Sequence, residues 1–242
     1  MQRRNVINFA VIAVGLVTLT AGLFAQQAPA ARPAAAEPAL VPPMLWKEVW
    51  KQVLSGPVPD HVTRRVVPAS VTNPNLELKL YGEHAYAVQV IVNHEGRQDL
   101  WTGMSPAPVA MLLRDKRNFV DLTGLARLRA IVRTDSLHVL FPAIKLANGT
   151  LAVGSREIST DGDFLMTEVG FVGQIWRRLD PMTVTTSNEA SKGSDSIILA
   201  NPDLSRVDEV GFVELMPGGG AGTPGGWTNV STVELYAKPV PR

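Results

Sequence analysis

Arg127-Leu128-Arg129-Ala130-Ile131-Val132-Arg133 is the stretch that decides the fold. Leu128, Ala130 and Val132 fall on one side of an extended chain and Arg127, Arg129 and Arg133 on the other. That period of two marks a half-buried strand with a basic outer face. The same period appears upstream, where Leu76, Leu78 and Leu80 alternate with Glu77 and Lys79, and Tyr86, Val88, Val90 and Val92 line one face of a second run. Downstream, Ala143 to Val153 reads as a hairpin turning at Asn148-Gly149, the dipeptide that best tolerates the positive φ of a type I′ turn. Short runs follow at 164–171, 174–179, 196–199, 209–215 and 230–237, with Gly, Pro, Asn or Asp in nearly every gap. Many short strands at even spacing, with no long helix between them, predict an all-β antiparallel sandwich or barrel. The segment 108–114 fits a short helix or a strand equally well.

Ahead of the strands the pattern differs. Leu45, Val49 and Val53 recur at i, i+4 and i+8, with Trp46, Trp50 and Leu54 beside them and Lys47, Glu48 and Lys51 opposite. This spacing predicts one short N-terminal helix that ends before Pro57 and Pro59. At about three turns it is too short to be stable alone and must dock on the domain or a partner.

Further upstream, residues 26–43 hold seven Ala and five Pro, an extended spacer or linker. Residues 1–25 read as a signal peptide, with Arg3 and Arg4 ahead of an uncharged run from Val6 to Ala25. That run is long enough to span a bilayer, so an uncleaved anchor is the competing reading, and both readings export the rest. The organisation expected is therefore 1–25 signal peptide or anchor, 26–43 linker, 44–72 short helix and connection, and 73–242 one β-sandwich domain. The localisation expected is exported, periplasmic or extracellular.

Composition narrows the classes. The chain has 242 residues, 45% of them apolar and 19% charged, enough to bury a sizeable core. Lys and Arg total 23 against 22 Asp and Glu, so bulk charge gives no basis for nucleic-acid binding. Removing Arg3 and Arg4 with the leader leaves 21 bases against 22 acids and turns the net charge to −1. There is no Cys, which excludes disulfides, Cys-ligated metals, a thiol nucleophile and a lipid-modified cysteine anchor.

The four histidines, His61, His84, His94 and His138, show no metal-ligand spacing, and no nucleophile elbow, P-loop or dinucleotide fingerprint is present. Gly218-Gly219-Gly220 is not followed by Gly-Lys-Ser/Thr and reads as loop. Asp161-Gly162-Asp163 with Glu168 places oxygens at alternate positions, as a calcium loop does, but lacks the third ligand and glycine spacing. A solvated turn accounts for it better. Asn148-Gly149-Thr150 and Asn229-Val230-Ser231 match the glycosylation sequon and read as turn chemistry. Two loops remain. One runs from Asn93 through Arg97 to Trp101 and Gly103, and the other is Gly225-Gly226-Trp227-Thr228-Asn229. Loop tryptophans beside hydrogen-bonding side chains suit a sugar face, the ring stacking on C–H groups and the polar atoms fixing hydroxyls. The alternative is a pair of tryptophans plugging the end of the core.

Several segments together carry a resemblance: Asp121-Leu122-Thr123-Gly124 before the arginine-edged strand, Asp203-Leu204-Ser205-Arg206-Val207 leading to Val210-Gly211-Phe212, and the closing Val233-Glu234-Leu235-Tyr236. They resemble the galactose-binding-domain-like jelly rolls, which include carbohydrate-binding modules and occur in many bacterial secreted proteins. The resemblance covers roughly Leu76 to Ala237 and implies a jelly-roll β-sandwich with loops at one rim, where such modules often bind glycans. It also implies a structural calcium held by acids near both ends of the domain, and here Glu234 is the only acid in the last 28 residues. No cofactor and no metal site is therefore assigned.

These readings point to an exported, non-catalytic module for a glycan or cell-envelope component, with ligand-binding residues Trp101, Trp227, Arg97 and Asn229 and no catalytic residue. Arg97 would offer planar donors to vicinal hydroxyls or a uronate, and Asn229 a donor–acceptor pair. No nucleic acid is expected as a partner, and a membrane only through an uncleaved N-terminal segment. The alternative is an envelope scaffold docking a protein through the Trp46/Trp50 helix. A third reading is a glycan-active enzyme with acids such as Glu95, Asp99 or Glu168 about 5–10 Å apart.

Overall fold

The computed structural model describes residues 41–135, 137–186, 197–218 and 226–242. The signal or anchor segment and the spacer up to residue 40 lie outside the described residues, as do residues 219–225 of the glycine loop. Among the described residues no helix is long and apolar enough to cross a membrane.

Two antiparallel sheets face each other. Sheet 1 holds β1 (Met44–Val49), β3 (Gln89–Val92), β4 (Gln98–Trp101), β7 (Arg127–Thr134), β10 (Leu165–Gly170) and β13 (Thr228–Tyr236). Sheet 2 holds β2 (Leu76–Tyr81), β5 (Val109–Asp115), β6 (Asn118–Asp121), β8 (Leu140–Leu146), β9 (Leu151–Val153), β11 (Arg177–Arg178), β12 (Val207–Glu214) and β14 (Lys238–Pro241). The spatial order is β10-β7-β13-β4-β3 in sheet 1, with β1 also on β13, and β11-β9-β8-β12-β5-β2 in sheet 2, with β6 joining β12 to β14. From β2 onward the chain passes repeatedly from one sheet to the other, while β3–β4 and β8–β9 are hairpins within a sheet and β5–β6 and β11–β12 also stay in one layer. This is the antiparallel sandwich expected.

The core lies between the layers. Val90, Leu100, Val132 and Val230 from sheet 1 meet Met111, Leu113, Ile144 and Phe212 from sheet 2. Strand β7 buries alternate residues along its whole length, as its sequence requires. Sheet 2 is buried on both sides around its middle strands. Ala110, Leu112, Ala143, Leu151 and Val213 point outward into a second apolar cluster covered by Leu179 and Val184. This explains why 108–114 has no readable period: a strand buried on both faces is apolar throughout.

The expected helix at 44–54 is a correction. Met44–Val49 is a strand, paired antiparallel with β13. Trp46 and Trp50, at 6% and 4% exposed, alternate inward with Glu48, while Lys47 faces out to Glu234 at 3.0 Å. Helical spacing and strand alternation coincide over so short a segment, and Glu48 hid the alternation because it is polar at an inward position. Its carboxylate accepts the backbone N–H groups of Thr72 (2.6 Å) and Asn73 (2.9 Å), which satisfies it and pins residues 72–73 to β1. The open edge of β13 offers β1 a ladder of hydrogen bonds, which outweighs the helix preference of so short a segment. With both indoles in the core, the scaffold reading that docks a partner through them loses its basis.

Two smaller differences concern turns. Tyr86 lies in a 3₁₀ turn at Ala85–Ala87 and is exposed, so β3 starts only at Gln89. At the β8–β9 hairpin only Gly149 has positive φ (88°), and its N–H donates to Leu146 O at 2.9 Å. That is a type I turn closed by a left-handed glycine rather than type I′.

The strand assignment has a direct check in urea unfolding. Trp46→Ala should cost about 3–5 kcal/mol by emptying a core site. Lys47→Ala, losing an exposed ion pair, should cost under about 1 kcal/mol.

Candidate functional site

The outer face of sheet 2 is covered in part by Leu179 and Val184 and in part carries the ion-paired row Glu77, Arg114, Glu209 and Lys145, whereas the outer face of sheet 1 carries the tryptophans and amides. Register places them. Trp101 on β4 is directly opposed to Gln89 on β3 and to Asn229 on β13. Asn229 is in turn opposed to Arg133 on β7, and Gln89 is bridged by Arg65. Directly opposed residues share a face, so Arg65, Gln89, Trp101, Asn229 and Arg133 form one row across the strands.

Both loop tryptophans are half-buried and in contact, ring centroids 6.5 Å apart at 70°, edge to face. The Trp101 ring lies so close over Gly103 that a side chain there would overlap it. Both indoles are anchored from beneath by the residues that follow them. Thr228 N donates to Thr102 Oγ1 at 2.9 Å, and Thr228 Oγ1 donates to Glu214 Oε2 at 2.8 Å. The other Glu214 oxygen pairs with His138 Nδ1, and all four side chains are buried. Sequence reading missed this knot. Its one signal was a set of polar residues, Thr228 and Glu214 among them, ending strands whose other inward positions are apolar.

Arg97 heads β4, and β13 and β7 separate β4 from β10. Its guanidinium nevertheless lies 4.5 Å from the ring centroid of Phe164, the residue before β10, with Arg133 at 5.8 Å from the same ring. Arg97 therefore reaches across the face while donating to Glu95. Beneath lie Gln89, Asp99 and Asn229, at 1%, 0% and 3% exposed. Each keeps one polar atom without a hydrogen-bond partner: Gln89 Nε2, Asp99 Oδ1 and Asn229 Oδ1. Burial holds the Asp99 carboxyl above its ordinary range, outweighing Ser231, the amide of Asn93 at 2.8 Å and the nearby charge of Arg97.

The four expected site residues are thus brought to one end of one sheet. Trp101 and Trp227 touch, Asn229 sits beneath the face, and Arg97 is occupied by Glu95 and Phe164. Of the acids weighed for catalysis, Glu95 and Asp99 lie near enough for their charges to interact, Asp99 buried and Glu95 paired with Arg97, whereas Glu168 stands apart. Glu168 on β10 is held by Arg127 (3.1 Å) and Arg129 (3.6 Å), three strands from Asp99, which at ordinary strand spacing is about 14 Å. Among the described residues no three His, Asp or Glu side chains gather as metal ligands. Asp161-Gly162-Asp163 is a turn, with Asp161 at φ 49°. At the opposite end of the sandwich a cavity of about 630 Å³ lies between the β8–β9 turn and residues 199–206, lined by Asn148, Thr150, Arg178, Asn201 and Arg206 among others. Among the described residues no aromatic ring lines it.

Fold and face together define an antiparallel β-sandwich that presents a tryptophan flanked by amides and arginines on one sheet. No family model and no curated protein matches the chain. Among solved structures, that of PfGH50B is similar with a TM-score of 0.36 at 10% identity, over 69% of this chain. This chain spans only 23% of the length of that protein. The family 11 carbohydrate-binding module of the cellulosomal cellulase Lic26A-Cel5E of Clostridium thermocellum is similar with a TM-score of 0.35 at 12% identity, over 79% of this chain and 95% of that one.

The buried acid has a testable pH signature. A carboxyl whose native pKa is raised binds its proton where the unfolded chain is still ionised, so the native state gains stability as pH falls through that range. Asp99→Asn should therefore be at least as stable as the parent at pH 7, with the gap closing on acidification. Thermal unfolding across pH reads this, and an Asn variant weaker at every pH contradicts it.

Proposed function

We propose that this chain is an exported, non-catalytic glycan-binding module that takes its ligand on the outer face of sheet 1, against Trp101. The observation that carries the reading is the row itself: an indole anchored on Gly103 and edge-on to Trp227, with an amide directly opposed on each side. A fixed ring beside hydrogen-bonding groups matches the two needs of a sugar, a flat C–H face and oriented hydroxyls. Preorganisation supports it further, because the Thr102–Thr228–Glu214 knot holds the indoles before any ligand arrives. Export rests on Arg3, Arg4 and the uncharged run to Ala25.

A glycan microarray followed by titration of the best ligand tests the proposal. The parent should bind, and Trp101→Ala should weaken binding at least about tenfold while the thermal midpoint stays near the parent's. No glycan bound by the parent, or binding indifferent to Trp101→Ala, would remove it.

A further inference from the structure

The row across sheet 1 has a charge pattern that the sugar-face reading leaves unexplained. Its two ends are arginines. Arg65 stands beside Gln89, its guanidinium 5.0 Å from the Tyr86 ring, and Arg133 stands beside Asn229, its guanidinium near Phe164. Neither meets a carboxylate among the described residues, and each, like Arg97 and Arg127, has a buried Nε–H without a hydrogen-bond acceptor. Elsewhere on this sheet the arginines are spoken for: Arg127 and Arg129 by Glu168, and Arg97 by Glu95. Among the described residues of this sheet, the arginines without a carboxylate are therefore those of the row that carries Trp101. Four strand spacings separate them, about 19 Å.

Packing a guanidinium on an aromatic ring fixes its plane and leaves its edge free, the arrangement that suits bidentate capture of a carboxylate or sulfate. Between the arginines, Trp101 has the orphan donor Gln89 Nε2 on one side and the orphan acceptor Asn229 Oδ1 on the other. A buried polar group without a partner costs stability, so its retention calls for a reason. A ligand that bears both hydroxyls and acid groups supplies one.

We propose that the row Arg65–Gln89–Trp101–Asn229–Arg133 binds an acidic oligosaccharide lying across the strands, with one sugar ring on Trp101 and acid groups at Arg65 and Arg133. The proposal rests on the glycan-binding reading and narrows it to anionic chains. With a formal charge of +1 over the whole chain, capture of a polyanion would be local to this row rather than a bulk effect.

The test measures binding of three polymers to the full-length folded protein: polygalacturonate, dextran sulfate and uncharged dextran. The parent should bind at least one acidic polymer at least about tenfold more tightly than dextran, and less tightly as salt rises. The better of the two identifies carboxylate or sulfate as the acid. Arg65→Gln and Arg133→Gln should each weaken acidic binding about tenfold or more, and Trp101→Ala should abolish it. Arg133→Lys, which keeps the charge and loses the planar fork, should fall between, and serves as the second variant if Gln is poorly tolerated. Dextran bound as well as the acids, with dependence on Trp101, overturns the anionic assignment and leaves the glycan-binding reading standing. Failure of the parent to bind any polymer or array glycan removes both. Acidic binding indifferent to Trp101→Ala or to both arginine variants marks diffuse charge attraction and overturns the proposal.

Discussion

Strand β13 is the constraint from which the rest follows. On one side it pairs along its whole length with β7. On the other it is shared end to end, with β4 taking Asn229 and Val230 and β1 taking Thr232 to Tyr236. The pairing slips between Val230 and Thr232, where one strand hands over to the other. The same strand sends Val230, Val233 and Leu235 into the core and carries Asn229 and Glu234 on the outer face. Core packing therefore fixes where the face residues stand. Any change in the register of β13 would move Asn229 away from Trp101 and turn its apolar residues to water.

The two sheets differ in what they do with their outer surfaces. Sheet 2 closes part of its own with Leu179 and Val184, the latter held at a positive φ of 53° and fully buried, and pairs its charges on the rest. Sheet 1 keeps arginines, tryptophans and amides on the outside, some of them buried without complete hydrogen bonding. Polar groups in that state are destabilising for the fold alone. They gather on one sheet, around one anchored indole, and the proposed binding face rests on that grouping.

Much of this was legible from residue order. The arginine-edged strand β7, the alternation of β2 and the punctuation by Gly and Asn made an antiparallel sandwich the natural reading, and the two loop tryptophans pointed to one end of it. What escaped did so for physical reasons. Met44–Val49 carries a helical stripe that is equally a strand, and only the open edge of β13 decides between them. Asn229 looked like a loop residue, but it begins a ladder and lies beneath the face. Arg65 and Arg133 could not be linked with Trp101, because a cross-strand row joins residues from distant parts of the chain and leaves no local spacing to read. The His138–Glu214–Thr228 knot is equally non-local.

The five tryptophans allow the face to be tested in one spectrum. Trp46, Trp50 and Trp176 are buried in the core, while Trp101 and Trp227 lie half-buried on the face. The measurement is a heteronuclear NMR titration of the five indole N–H resonances, assigned by single Trp→Phe variants, with the glycan that binds best. Saturable shifts of Trp101 and Trp227, with the three core indoles unmoved, are expected if sheet 1 presents the binding face. Binding that leaves the Trp101 and Trp227 resonances where they were would contradict it and place the ligand elsewhere on the sandwich.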